Sequence, residues 1–386
     1  MTLAPELEAL LAPQVRFDEL RRRSVLRAGA GLADLAYANS YGGPSPLVLH
    51  ALHRALDDAG ELDLQYTPYG GTTITRRLVA QELSKTVGLT FGHRSVVMTP
   101  GAMAALNVVL RALKERGDGE IIVPIPCWLD YPLYARNLGL DVRFVPVRPD
   151  TLRLDLGAIE EALGPRTLAV LLMQPVNPSG LLHTAEELDA LAKVLGQASR
   201  PPLVISDETH RGIRFQTQPF VSPALHWPNT CIVHSFGKSL QIQGQRIGYV
   251  AVSPSMPEGA EFASTLEKLC RVMGFCTPTS LMQLAIRELV THAPDWSALA
   301  TRRRTMLEAL RAGGYEVVPS EATYFLYPRT PGGSDDWAHA ERLAHEGLLV
   351  LPAPVLHHRG HFRIAMTCTD AMLDKACNVL GEVVRA

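Results

Sequence analysis

The chain reads as an α/β protein: a doubly wound, mostly parallel sheet with a smaller α+β unit after it. Three observations predict this. Short aliphatic and β-branched runs at residues 95–99, 120–125, 142–147, 167–173, 202–206, 230–234 and 247–252 carry little polar alternation, as in strands buried on both faces. Helically spaced stretches lie between several of them, and strands alternating with helices mark a doubly wound sheet. From residue 257 the pattern turns helical, then closes on short strands at 324–327, 348–351 and 361–365 and a final helix at 371–384. A long helix at 296–310 reads as the connector between the two units. The expected division is an N-terminal arm (1–45) joining the smaller unit, a large domain (46–285) and a small C-terminal domain (286–386).

Composition narrows the function classes. A chain of 386 residues has length for roughly two to three domains. A net charge of −2, without aromatic residues interleaved among basic ones, offers no surface for nucleic acid. No apolar run reaches membrane-spanning length. Six cysteines without CxxC spacing (Cys127, Cys231, Cys270, Cys276, Cys368, Cys377) read as free buried thiols of a reducing, cytoplasmic compartment. His357, His358 and His361 have no acidic or cysteine ligand at helical spacing, so a polar loop is expected there and no metal.

In chain order, the first forty residues read as a helical arm. Arg21-Arg-Arg-Ser24 with the apolar stretch behind it resembles a twin-arginine export signal. That stretch is short, meets Asp34 and follows an acidic segment, so export is not expected. Gly29 and Gly31 lack the third glycine and the preceding strand of a dinucleotide fingerprint. Residues 39–46 form a turn-rich link, and Pro46 opens a helix through Leu47, Leu49, Leu52 and Leu56. Tyr66 precedes the turn at Gly70-Gly71. The strand at 95–99 runs into Pro100-Gly101-Ala102-Met103, where small residues at a helix start let an anion approach exposed N–H groups; an ordinary strand-to-helix turn looks the same. Trp128 follows the strand at 120–125, either to stack on a planar ligand or to fill the core. Asn177 lies in the turn 174–180, and Asp207 ends the strand at 202–206, either as a ligand to something or as a helix cap.

The densest chemistry is at 230–252. Lys238 sits in a glycine-punctuated loop between two buried strands, where desolvation lowers its pKa and frees an amine for Schiff-base formation. Ser235 and Arg246 offer a hydroxyl and a guanidinium fork, which suit a phosphate. The competing reading is a solvated hairpin lysine with two unrelated polar neighbours.

Residue by residue, this segment resembles the S-x-S-K…G-x-R-x-G-Y motif of the class I/II aminotransferases, pyridoxal-phosphate enzymes of fold type I. Further matches follow in the family's order over residues 39–386: Gly42-x-Pro44, Tyr66…Gly71…Arg76, the P-x-aromatic at Trp128, Gln174-Pro-Val-Asn177-Pro-Ser-Gly180 against N-P-x-N-P-T-G, Asp207-Glu208-Thr-His210 against D-E-x-Y, and Arg363-Ile-Ala against R-[IL]-[SA]. The resemblance implies a seven-stranded sheet in a large pyridoxal-phosphate-binding domain. It implies that Lys238 carries pyridoxal 5'-phosphate as an aldimine and shuttles the Cα proton. Ser235, Arg246, Gly101, Ala102 and Met103 would hold the phosphate, Trp128 would stack on the ring, and Asn177 with His210 would face the ring hydroxyl. Asp207 would keep the pyridine nitrogen protonated, Arg363 would take the substrate α-carboxylate, and Gly42 would lie over the substrate. Tyr66 would reach the cofactor phosphate of a neighbouring subunit, which implies a homodimer with shared sites. The implied function is transfer of the amino group of an L-amino acid to a 2-oxo acid. Four positions depart from the family pattern: Gly237 for serine, Gln174 for asparagine, Ser179 for threonine and His210 for tyrosine. Imidazole can donate where tyrosine does, but its charge titrates near neutrality. Of these, His210 and Gly237 motivate a second reading, a pyridoxal-phosphate lyase (β/γ-elimination) or oxidase.

Overall fold

The computed structural model describes residues 3–215, 219–275, 277–333 and 335–383. Helix α1 (Pro5–Ala28) starts on a proline, whose missing N–H costs nothing in the first turn, and buries Phe17, Leu20 and Ser24. The arginine run that resembled an export signal forms its last turns, with Arg21 donating to Asp34 at 2.8 Å. Then come β1 (Ala33–Asp34), α2 (Pro46–Asp57) and α3 (Thr73–Val87). Ser45 and Thr72 cap the two helices, each accepting from the backbone N–H three residues on.

The large unit alternates strand and helix: β2 (Val96–Thr99), α4 (Ala102–Glu115), β3 (Glu120–Ile125), α5 (Tyr131–Asn137), β4 (Asp141–Pro146), α6 (Leu156–Ala162), β5 (Thr167–Met173), α7 (Ala185–Gly196) and β6 (Leu203–Asp207). Then β7 (Thr230–Ser235), the single turn α8 (Phe236–Ser239) and β8 (Gly248–Val252) complete the sheet. Its order is β2-β8-β7-β6-β5-β3-β4, with β8 antiparallel to both neighbours and the rest parallel. β2, β5, β6, β7 and β8 are buried along their whole lengths, so each reads as a continuous apolar run.

Three helices, α9 (Gly259–Met273), α10 (Ser280–Leu289) and α11 (Ser297–Ala312), lead to β9 (Phe325–Leu326), α12 (Asp336–His345), β10 (Leu348–Leu349), β11 (Leu351–Pro352), β12 (Phe362–Ala365) and α13 (Asp370–Val383). β12 lies between β11 and β9, and β1 of the arm pairs with β10. One apolar cluster therefore unites Phe17 and Leu35 of the arm with Met306, Tyr324, Leu348 and Ile364. The sheet has its own clusters on its two faces.

Two units meet at the strand ends. The backbone oxygen of Gly180 accepts from Glu321 N and Ala322 N at 2.9 and 2.8 Å. Gly180 has φ +72°, and a Cβ there would run into Ser320 and Ala322, so the approach requires glycine. Gln174 holds the same turn: its amide donates to His183 O and Val221 O at 3.0 and 2.8 Å and accepts from His183 N at 2.9 Å. The glutamine that departs from the family motif is therefore part of the scaffold.

Elsewhere Cys127, Cys231 and Cys368 are buried thiols, whereas Cys276 lies outside the described residues. His357 bonds Leu129 O at 3.0 Å, His358 bonds the Tyr327 hydroxyl at 3.0 Å, and His361 stacks on Tyr327. Among the described residues no helix is long and apolar enough to cross a membrane.

Candidate active site

A cavity of about 540 Å³ opens where β5, β6 and β7 end, the crevice in which open α/β sheets bind ligands. Lys238 enters it from α8, which follows β7 without a loop; the expected loop is one helical turn, capped by Ser235 Oγ accepting from Gly237 N at 3.3 Å. Gly237, the missing serine, lies close to the Gln243 backbone. The Lys238 amine is pushed down to about 8, chiefly by burial and further by the cations of Arg363 and Arg246. Its backbone oxygen accepts the Tyr324 hydroxyl, fixing the turn from the small unit.

Asp207 ends β6 and is buried. Burial raises its pKa, opposed by Tyr131 Oη donating to Oδ2 at 2.6 Å and Thr209 N donating to Oδ1 at 3.0 Å. Trp128 stands at the cavity wall, half-buried, with Tyr131 and Tyr134 edge-on to it at 5.4 and 5.8 Å. It is not a closed core residue. On the opposite side Gly101, φ +88°, caps α4, leaving the first N–H groups of that helix without intrahelical partners. A Cβ at Gly101 would collide with the Arg246 guanidinium, so glycine lets the arginine lie against the helix start. Arg246 Nη1 donates to Gln243 O at 2.7 Å.

Arg363 on β12 is buried at the seam between the units. Nη1 donates to Asn177 Oδ1 at 3.1 Å, Nη2 donates to Ala36 O at 2.8 Å, and the guanidinium lies 4.1 Å over the Phe325 ring. Burial pushes its pKa down to about 10, so it stays cationic at neutral pH. His210 is buried, edge-on to Tyr324 and Phe325. Burial, then the cations of Lys238 and Arg363, hold its pKa well below the usual imidazole value. The expectation that this imidazole titrates near neutrality is therefore corrected: it is a neutral group.

Ala102, Met103, Trp128, Asn177, Asp207, His210, Ser235, Lys238, Arg246 and Arg363 all line the one cavity, and Gly101 backs onto it. Tyr66 and Gly42 do not line it within this chain. Tyr66 is fully exposed, and Gly42 faces open space. Sequence reasoning missed Tyr131, Thr209, Tyr324, Gln243 and, from the arm, Gln14, Tyr37 and Asn39. Tyr131 had a readable signal, an aromatic one helical turn beyond Trp128. The arm residues had none, because β1 pairing and the bond from Gln243 Nε2 to Ala38 O at 3.1 Å place them.

The residues fit a phosphorylated planar cofactor. Buried polar atoms without a partner include His210 Nδ1, Thr209 Oγ1, Arg363 Nε and Gln14 Oε1, all on residues of this cavity. Unpartnered buried groups are costly, and a bound molecule is what satisfies them. The sequence pattern of the family described as aminotransferase class I and II matches residues 33–380. The chain belongs to this family. The aminotransferase is 28% identical to a probable aspartate/prephenate aminotransferase of Thermus aquaticus over 98% of this chain and 96% of that one. It is 31% identical to an aspartate aminotransferase of Geobacillus stearothermophilus, over 72% and 71% of the two chains. An amino transferase from Eubacterium rectale shares its fold, with TM-score 0.92 at 24% identity over 100% and 99% of the chains. Enzymes of this family use pyridoxal 5'-phosphate, and the protein is a pyridoxal-phosphate-dependent aminotransferase. The elimination or oxidation reading is not favoured.

Proposed function

We propose that the protein moves the amino group of an L-amino acid to a 2-oxo acid in this cavity, with Lys238 as its one covalent and proton-transferring residue. The observation that carries the reading is the convergence of a depressed lysine, a buried carboxylate and a buried arginine on a single cavity. When bound, pyridoxal phosphate supplies an electron sink for the pair left at the substrate Cα.

The chain's own residues supply the rest. The Lys238 amine, its pKa pushed down to about 8, holds the cofactor and then takes and returns the Cα proton. Asp207, oriented by Tyr131 and Thr209 N, provides a fixed negative charge at the end of β6. Arg363, held by Asn177 and Ala36, presents the unpartnered Nε for the α-carboxylate. Arg246, Ser235 and the first N–H groups of α4, at Ala102 and Met103, form the phosphate cradle, with Gly101 leaving room for the arginine. Trp128 covers the ring face, and His210 with Asn177 faces the ring hydroxyl. The neutral state of His210 suits a hydrogen-bonding rather than a charged role.

The exposed Tyr66 supports a homodimer in which it completes a second chain's phosphate site, with Gly42 over the substrate. The arm (1–45) and the residues after 286 form the small domain against a large domain of 46–285, as their shared apolar cluster supports. The reduced thiols support a cytoplasmic location.

The test is a half-reaction. An amino acid alone should convert the bound cofactor's absorbance once, and a 2-oxo acid should restore it. Lys238→Ala should lower turnover by roughly a thousandfold, the scale of a lost proton-transfer group. Steady release of ammonia or a side-chain fragment without oxo acid would overturn the reading.

A further inference from the structure

After the cofactor and α-carboxylate groups are assigned, the cavity has polar lining left over, and among the described residues Asp130 is the one charged group in it. The cavity's cations are Lys238, Arg246 and Arg363, all engaged above, and His210 is neutral. Among the described residues lining the cavity, no further cation remains for a carboxylate at the far end of a substrate side chain.

Acceptors remain instead. Asp130 lines the cavity at the start of α5, yet its carboxylate accepts no N–H of that helix. Among the described residues the carboxylate accepts one hydrogen bond, from the Tyr134 hydroxyl at 3.2 Å, and forms no ion pair. Burial raises its pKa with no cation to offset it. A half-buried carboxylate without a counter-charge is a cost that folding alone does not repay.

Gln14 of α1 adds a second, independent acceptor. Its Nε2 donates to Asp18 Oδ1 at 2.8 Å and to Tyr37 Oη at 2.6 Å, while its buried Oε1 has no partner. Flipping the amide would turn Oε1 onto the Asp18 carboxylate, so the orphan acceptor is the arrangement the network enforces. α1 packs on α5, with Glu6 3.6 Å from Arg136 at the far end of α5. Eight residues along α1, about 12 Å at the helical rise, carry Gln14 toward the start of α5, where Asp130 stands. Leu129 and Tyr37 line the same cavity and offer apolar surface to an aliphatic stem.

Resting on the aminotransferase reading, we propose that the enzyme's amino donor is a basic L-amino acid, its side-chain amino or guanidino group paired with Asp130 and donating to Gln14 Oε1. This separates the chain from its relatives named for aspartate, whose substrate ends in a carboxylate.

The holoenzyme decides it, by stopped-flow half-reactions with L-ornithine, L-arginine, L-norvaline, L-aspartate and L-glutamate. Ornithine or arginine should exceed norvaline in rate per concentration by about tenfold or more, the scale of a desolvated ion pair. Asp130→Asn should reduce that ratio by about tenfold, and Asp130→Glu should keep most of it. Absorbance of the bound cofactor reports that each variant is folded. A wild type that prefers aspartate or glutamate overturns the proposal, because the counter-charge to Asp130 then comes from a second copy. Equal rates for norvaline and ornithine overturn it as well. A holoenzyme that reacts with none of the five overturns the basic-donor proposal alone; the aminotransferase reading fails only if no amino acid converts the bound cofactor's absorbance.

Discussion

The two walls of the cavity are built differently. One is made of strand ends: Asp207 closes β6, Ser235 closes β7, Lys238 follows within one turn, and Gly101 opens α4. Each sits within a few residues of a buried strand, so hydrogen-bonded register fixes it. The other wall comes from the arm, with Gln14 and Tyr37 joined to each other and to Asp18 by side-chain bonds. The first wall places a common chemistry, with Asp130 beside it, through local backbone; the second adds Gln14 and Tyr37 through distant packing.

Arg363 joins the two walls, touching Asn177 on one and Ala36 on the other, so its loss should have the largest effect. Arg363→Ala should weaken substrate binding by about 2–5 kcal/mol, read as a raised KM for every amino acid. Unchanged kinetics would remove it from the carboxylate role. On the sheet side alone, Lys238→Met should stabilise the cofactor-free protein at pH 7 by about 1–3 kcal/mol, since a cation with a lowered pKa is no longer buried. The sign follows from proton uptake: with Lys238 at about 8 when folded and 10.5 as its ordinary value, the unfolded chain binds more protons between them. The gain should therefore be complete below pH 8 and fade as pH rises toward 10.5, by denaturant titration at several pH values.

The same division explains what was legible in the sequence. Most sheet strands, β2 and β5 to β8, were readable because both faces are buried and no polar alternation breaks the runs. Lys238, Asp207, Asn177 and Arg246 were readable because their neighbours along the chain set their geometry. Tyr66 was expected at a second chain's phosphate, and within this chain neither it nor Gly42 lines the cavity. Gln14 carried no signal, because what gives it meaning is α1 lying on α5, and helical spacing does not state a docking partner. His210 was read as a titrating group; burial among Tyr324, Phe325 and two cations makes it neutral.

Smaller changes sharpen the contrast. Tyr131→Phe removes a donor to the Asp207 carboxylate, which should cost about 1.5–3 kcal/mol of that charged state and lower turnover with all substrates alike. Tyr37→Phe on the arm should cost only about 0.5–1.5 kcal/mol, the worth of a neutral hydrogen bond, and should change ratios between amino acids more than cofactor binding. A Tyr37 variant that lost cofactor while keeping its substrate ratios would show the walls to be one structure.

The most direct measurement is covalent. Borohydride reduction of the protein loaded with pyridoxal phosphate, followed by peptide mapping, should place the label on Lys238 alone. The rate of cofactor attachment to cofactor-free protein should rise about tenfold per pH unit below the lysine's pKa and level off above about 8. A label on any other lysine, or an attachment rate still climbing at pH 10, would contradict the account.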